Sequence, residues 1–177
     1  MNRIHVVLAA LVFGVLVSDV AAQTANPAYP RDFGSRNLGG PRIGLTFIPG
    51  NGELAQTLED HGIGRVISQF GWHFEHRVIF HDDGPAFVLE FIPMLGGVEY
   101  ATVIPSLNFM TGIRFPSGFE FGMGPNVAFG GKNGVSSALT VAVGKTFDYG
   151  GVSIPLNLAL VTNPSGNRLS LIVGYAI

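Results

Sequence analysis

The sequence predicts an all-β chain of about eight antiparallel strands, closed into an up-and-down transmembrane β-barrel with one short helix in a loop. Three observations carry this reading. The first is residues 64–80, GRVISQFGWHFEHRVIF, where Val66, Phe70, Trp72, Phe74, Val78 and Phe80 share one phase of a two-residue period and Arg65, Gln69, His73, Glu75 and Arg77 share the other. Such alternation is a strand with one apolar and one polar side, and at about 3.3 Å per residue it is long enough to cross a bilayer when tilted. The second is that the same alternation recurs, separated by turn residues, to the end of the chain. The third is a shortage of water-facing surface: 12% of the 177 residues are charged, against about 25% in a soluble domain. Lys132 and Lys145 are the only lysines.

Composition also excludes several classes. A formal net charge of −2 provides no basic face for nucleic acid and no acidic tail. With no cysteine, disulfides, thiol nucleophiles and cysteine-ligated metals are ruled out. The length suits one domain.

In chain order, residues 1–22 read as a signal peptide, with Arg3 and His5 as a basic start, an apolar run at 6–17, and Val20-Ala21-Ala22 before the cleavage point. That run is too short for a membrane helix, and no apolar run of about 18 residues follows it. Residues 23–40, rich in Pro, Gly, Asn and Ser, read as a flexible N-terminal arm, and residues 41–177 as the barrel domain. Residues 41–48 alternate Ile43, Leu45 and Phe47 with Arg42, Gly44 and Thr46, making a first strand. Residues 51–61 place Leu54 and Leu58 one turn apart behind Glu53, the helical candidate. After the long strand at 64–80, His81-Asp82-Asp83-Gly84 signals a turn, and residues 86–92 set Phe87, Leu89 and Phe91 against Glu90.

The remaining strands repeat the pattern. Residues 100–115 set Val103, Leu107, Phe109, Ile113 and Phe115 against Ser106, Asn108 and Arg114; residues 119–129 set Phe119, Phe121 and Met123 against Glu120 and Asn126. Residues 136–147, 152–161 and 168–177 follow in the same style, joined by turns at Asp148-Tyr149-Gly150-Gly151 and at 163–167. Pro93, Pro105, Pro125 and Pro155 fall inside strand patterns, and since proline cannot donate to a ladder, bulges or strand ends are expected at some of them, with Pro125 standing mid-strand.

The polar phase is mostly Gly, Ala, Ser, Thr and Asn with a few charges of both signs, which suits the cramped interior of a narrow barrel rather than a solvated surface. The apolar phase, large and aliphatic or aromatic, then faces lipid. With the chain ends on the same side as the short turns, Phe80, Phe115, Phe119, Phe147 and Tyr175 gather at that end as membrane-interface aromatics. The helical loop, Leu95-Gly96-Gly97, Lys132 and Asn163 lie at the other.

This pattern resembles the small eight-stranded outer-membrane β-barrel proteins of Gram-negative bacteria. Its most specific part is the last strand, where Gly174, Tyr175 and Ile177 resemble the C-terminal signal read by the outer-membrane insertion machinery. That signal usually ends in an aromatic residue, and here the end is Ile177. The resemblance implies export, residence in the cell outer membrane, outer-membrane lipid as surroundings and the insertion machinery as a partner. Loop partners and oligomeric state cannot be read from the chain.

The chemistry-bearing residues are Arg42, His73, Glu75, Arg77, Glu90, Arg114 and Glu120, all in the inward phase and expected to pair as a lumen charge network, because isolated buried charges cost several kcal/mol each. The functional alternative for this set is an ion- or proton-conducting lumen or a gate. In His73-Phe74-Glu75-His76 only His73 and Glu75 share a face, so no metal site is expected. No catalytic residue or cofactor is assigned. The expected role is structural or interacting, with a side-chain-filled lumen. Two alternatives are a lipid-modifying hydrolase of the outer membrane using Ser68, His73 or His76, and a secreted, lipocalin-like barrel with its apolar phase turned inward around a ligand.

Overall fold

The computed structural model describes residues 33–80, 84–130 and 134–176. Eight antiparallel strands, β1 (Gly40–Phe47), β2 (Val66–Ile79), β3 (Ala86–Gly96), β4 (Ile104–Arg114), β5 (Phe119–Phe129), β6 (Val135–Tyr149), β7 (Val152–Thr162) and β8 (Arg168–Gly174), pair in chain order, and β8 returns to β1 to close the barrel. Helix α1 (Glu53–Asp60) lies in the β1–β2 loop and a 3₁₀ turn (Val98–Tyr100) in the β3–β4 loop. The predicted signal peptide, residues 23–32 of the predicted arm, His81 to Asp83, Lys132 and Ile177 lie outside the described residues.

Register is constant in every ladder. Followed from strand to strand once around the barrel, it returns to β1 ten residues from its start, a shear of 10 for eight strands. With about 3.3 Å per residue along a strand and about 4.8 Å between strands, this shear tilts the strands by about 41°. An 11-residue strand such as β4, β5 or β7 then spans about 27 Å along the barrel axis.

The constant register corrects the expected bulges. Pro93, Pro105, Pro125 and Pro155 all sit within strands, and the alternation runs through each without a change of phase. Instead, pairing lapses locally. The β2–β3 ladder omits the level of Trp72 and Pro93, and the β4–β5 ladder omits the level of Phe109 and Pro125, with the same register on both sides of each lapse. A missing N–H thus costs a ladder bond without displacing the strand. The strands approach closely beside these lapses. A Cβ on Gly71 would lie 2.2 Å from the Pro93 carbonyl oxygen, and one on Gly124 1.9 Å from that of Phe109.

Several boundaries also shift. The strand expected over 100–115 begins at Ile104, because Val98–Tyr100 winds into the 3₁₀ turn between Gly97 and Ala101, both in the left-handed region. The strand at 86–92 continues through Pro93 to Gly96, so Leu95 and Gly96 are strand rather than loop. Asp148 and Tyr149 end β6, leaving Gly150-Gly151 as the turn. Tyr175 follows β8, and Ala176 is bridged to Ser153.

Helix α1 forms where Leu54, Ala55 and Leu58 align on one face, and it stops at Gly62, whose φ of +71° closes the C-terminus. There Gly62 N–H donates to Glu59 and Ile63 N–H to Leu58, and Ile63 packs back with Leu58 in one apolar cluster with Ile48, Ala55 and Ile67. This cluster, joined by Tyr100 and Ile104, covers the loop end of the barrel. Below it the lumen is polar: Thr46 meets Ser170 at 2.7 Å, and Asn108 Oδ1 accepts from Asn126 at 2.9 Å and Thr140 at 3.0 Å around a cavity of about 60 Å³. The short-turn end is charged.

Candidate functional site

The site is this charged layer. Alternation on β1 to β5 turns Arg42, His73, Glu75, Arg77, Glu90, Arg114 and Glu120 inward, and the stagger of the strands brings them to one level. Arg114 is its centre. It gives Nη1 to Glu75 Oε1 at 2.9 Å and Nη2 to Glu75 Oε2 at 2.6 Å, and Nε to Glu120. The two-pronged contact matches the planar guanidinium fork to a carboxylate. Glu90 Oε1 lies 3.9 Å from Arg114 and 3.2 Å from His73 Nε2. Arg77 Nε stands 3.6 Å from Glu75.

Arg42 donates to His73 Nδ1 at 2.5 Å. His73 Nε2 and Glu90 Oε1, 3.2 Å apart, are both buried without a hydrogen-bond partner among the described residues. Arg77 and Arg114 thus face Glu75, Glu90 and Glu120, while Arg42 is held by His73 and the Leu38, Gly40 and Pro41 carbonyls.

Residues 33–39 complete the layer from the mouth of the barrel. Phe33 N–H donates to Pro116 at 3.2 Å, and Leu38, 1% exposed, gives its N–H to Glu75 Oε1 at 2.9 Å while its carbonyl accepts from Arg42. The Ser35 carbonyl accepts from Arg77, and that of Arg36 from Arg114 at 3.4 Å. The Arg36 side chain pairs with Asp148 and lies over the Phe33 ring at 5.0 Å. These partners are mostly main-chain groups, which residue types do not advertise. Sequence reasoning assigned this stretch to the arm and gave it no part in the network.

Ligand atoms of His73, Glu75 and Glu90 lie within 4.8 Å of one another, a spacing a divalent cation uses. Both Glu75 oxygens are already engaged by Arg114, however, and Arg42 holds His73. A cation there would meet two guanidinium groups, so the donor set is fitted to ion pairing rather than to metal.

The proposed hydrolase residues are not assembled. Ser68 Oγ donates to Glu99 of the 3₁₀ turn, which also accepts the Ser68 N–H at 2.6 Å. Burial works to raise the Glu99 pKa, but these hydrogen bonds outweigh it and hold the carboxyl below its ordinary value. His76 points outward, and eight residues of β2, about 26 Å, separate it from Ser68. The apolar phase of all eight strands faces out and the residues of the charged layer face in, the reverse of a lipocalin-like interior.

Phe80, Phe115, Phe119, Phe147 and Tyr175 all lie at the short-turn ends of their strands, Phe80 and Tyr175 well exposed, Phe119 and Phe147 half-buried. Lys145, in the outward phase, was not singled out by its sequence pattern; it donates to the Ser117 carbonyl at 2.7 Å and sits 4.5 Å over the Phe119 ring. Tyr149, exposed at the end of β6, joins the same rim. Comparison with protein-family models, curated proteins and solved structures finds no match to this chain.

Proposed function

We propose that this is an outer-membrane β-barrel protein with a side-chain-filled lumen, serving a structural or interaction role through its loops. The observation that carries the reading is the outward face. Ile43, Trp72, Phe109 and Leu139, on β1, β2, β4 and β6, are each about half exposed, and Phe121, Leu160 and Leu171 continue the apolar face on β5, β7 and β8. An apolar surface that encircles a molecule while its charges are buried fits hydrocarbon and is unstable in water. Strands spanning about 27 Å match an apolar band of about 25 Å. The rim of Phe80, Phe115, Tyr149 and Tyr175 is placed for a membrane interface. The pattern around Tyr175 suits delivery by the insertion machinery.

Fractionation of cells expressing the full chain tests this. The protein is expected with the outer membrane, resistant to alkaline extraction, and to migrate faster unboiled than boiled in a denaturing gel. Recovery in a soluble fraction with one heat-independent band would sink the proposal.

A further inference from the structure

A second cavity, of about 240 Å³, lies at the loop end and plays no part in the charge network. Ile48, Ile67 and Ile104 line it from the strand ends, and Leu54, Leu58 and Ile63 from the helical loop above. Helix α1 is tied over it by Leu54 N–H donating to the Ser165 carbonyl at 2.8 Å. At about 30 Å³ per water-sized group, the space takes about eight such groups. An apolar lining offers water few partners.

Among the described residues one guanidinium reaches this chamber. Arg168, the first residue of β8, lines both the apolar cavity and the polar one beneath it. Its Nη2 donates to Asn126 Oδ1 at 2.7 Å, but its Nε is buried with no partner. Among the described residues no carboxylate lies within ion-pair distance of it. The other inward guanidiniums have carboxylates, or, for Arg42, the Leu38, Gly40 and Pro41 carbonyls, whereas Arg168 keeps a buried nitrogen without an acceptor, and an unpaired buried charge is costly. Among the described residues the wall beside it is also incompletely paired. The β4–β5 ladder begins only at Ser106 and Ala128, so Ile104 and Pro105 have no partner on β5, and the outward-facing Val103 and Phe129 line the same cavity.

We infer that the loop-end cavity binds a medium-chain alkyl carboxylate, its carboxylate on the Arg168 guanidinium and its chain of about eight carbons against Leu54, Leu58 and Ile63. The anionic head supplies the missing counter-charge, and the fork of Nε and Nη2 suits a two-oxygen acceptor. Because the head lies at the inner end of a small cavity, a free carboxylate fits and a phospholipid headgroup does not. The gap between β4 and β5 gives the ligand an entrance from the bilayer.

The test is a titration of the full-length protein, refolded into lipid nanodiscs and carrying labelled Ile and Leu methyl groups, with sodium octanoate and separately with octanol. Octanoate is expected to produce saturable shifts at Ile63, Ile67, Ile104 and Leu58, while the outward Ile43 and Leu45 move only linearly with partitioning. Octanol should bind about tenfold more weakly, and Arg168→Gln should weaken octanoate about tenfold without affecting octanol, the loss of one charge-assisted contact. If Arg168→Gln does not fold, Leu58→Trp, which fills the chamber, should abolish saturation. Linear shifts at every methyl, equal binding of octanol, or saturation only by an anionic lysophospholipid held in the disc would each overturn the inference. Failure here is separable from failure of the barrel reading, because nanodisc incorporation and heat-dependent migration are scored on the same sample.

Discussion

Arg114 contacts Glu75 and Glu120 directly and stands 3.9 Å from Glu90, with its side chain 1% exposed. Removing one partner of such a buried set leaves the others uncompensated, a loss of about 3–5 kcal/mol. Arg65 offers the contrast: it pairs with Glu59 on the surface at 2.7 Å, where an ion pair contributes about 0–1 kcal/mol. Arg114→Leu should therefore lower the urea midpoint of the refolded protein far more than Arg65→Leu, and the double change Arg114→Leu with Glu75→Leu should recover part of the loss. Equal midpoints for the two single variants would show that the network is not what holds the lumen. The inward set was legible because period-two phase assigns every side chain to a face once one strand is placed. Its completion by Leu38, Ser35 and Arg36 was not, since any residue offers a backbone N–H and carbonyl. Arg168 escaped notice for a related reason: it opens its strand, and an orphaned nitrogen has no sequence signature.

Within single strands, phase was readable and pairing was not. β3, AFVLEFIPMLG, is nearly all apolar, and only Glu90 marks its inward side; Val88 and Met94 turn out to fill the lumen beside it. Pro93 and Pro125 look disruptive by residue type, yet each costs a ladder bond without moving the register, because glycine stands where the strands close in. Gly71 and Gly124 have no room for a methyl group against the Pro93 and Phe109 carbonyls, whereas a Cβ on Gly122 would lie 3.4 Å from its nearest neighbours, Met110 Cε and the Thr111 carbonyl. Gly71→Ala and Gly124→Ala should therefore reduce the fraction of chain that reaches the heat-resistant, fast-migrating form, while Gly122→Ala should leave it near wild type. Comparable yields for all three would mean that the close approaches beside the prolines are not needed for closure. Strand ends were less legible than phase, as Val98–Tyr100 shows: its alternation continues that of β4, but the left-handed Gly97 and Ala101 break the extended chain.

At the scale of the whole molecule, among the described residues, the barrel interior is occupied at three levels in series: by residues 33–39 with the charged layer, by the polar layer of Thr46, Asn108, Asn126, Thr140 and Ser170, and by α1 with its apolar cluster. The cavity of the middle level is small, about 60 Å³. A shear of 10 fixes the width of an eight-stranded wall, so neither loop motion nor loss of one plug creates room for ions. The protein in a planar bilayer should accordingly pass no stepwise current. Deleting residues 33–38 should not change that, because Arg114 still joins Glu75 and Glu120 across the lumen. Replacing Glu75, Arg114 and Glu120 by Ala as well should still give no openings, because the polar layer and the apolar cluster under α1 remain across the lumen. Steady steps from the unaltered protein would reverse the argument, making the charged layer a conducting path rather than a seal.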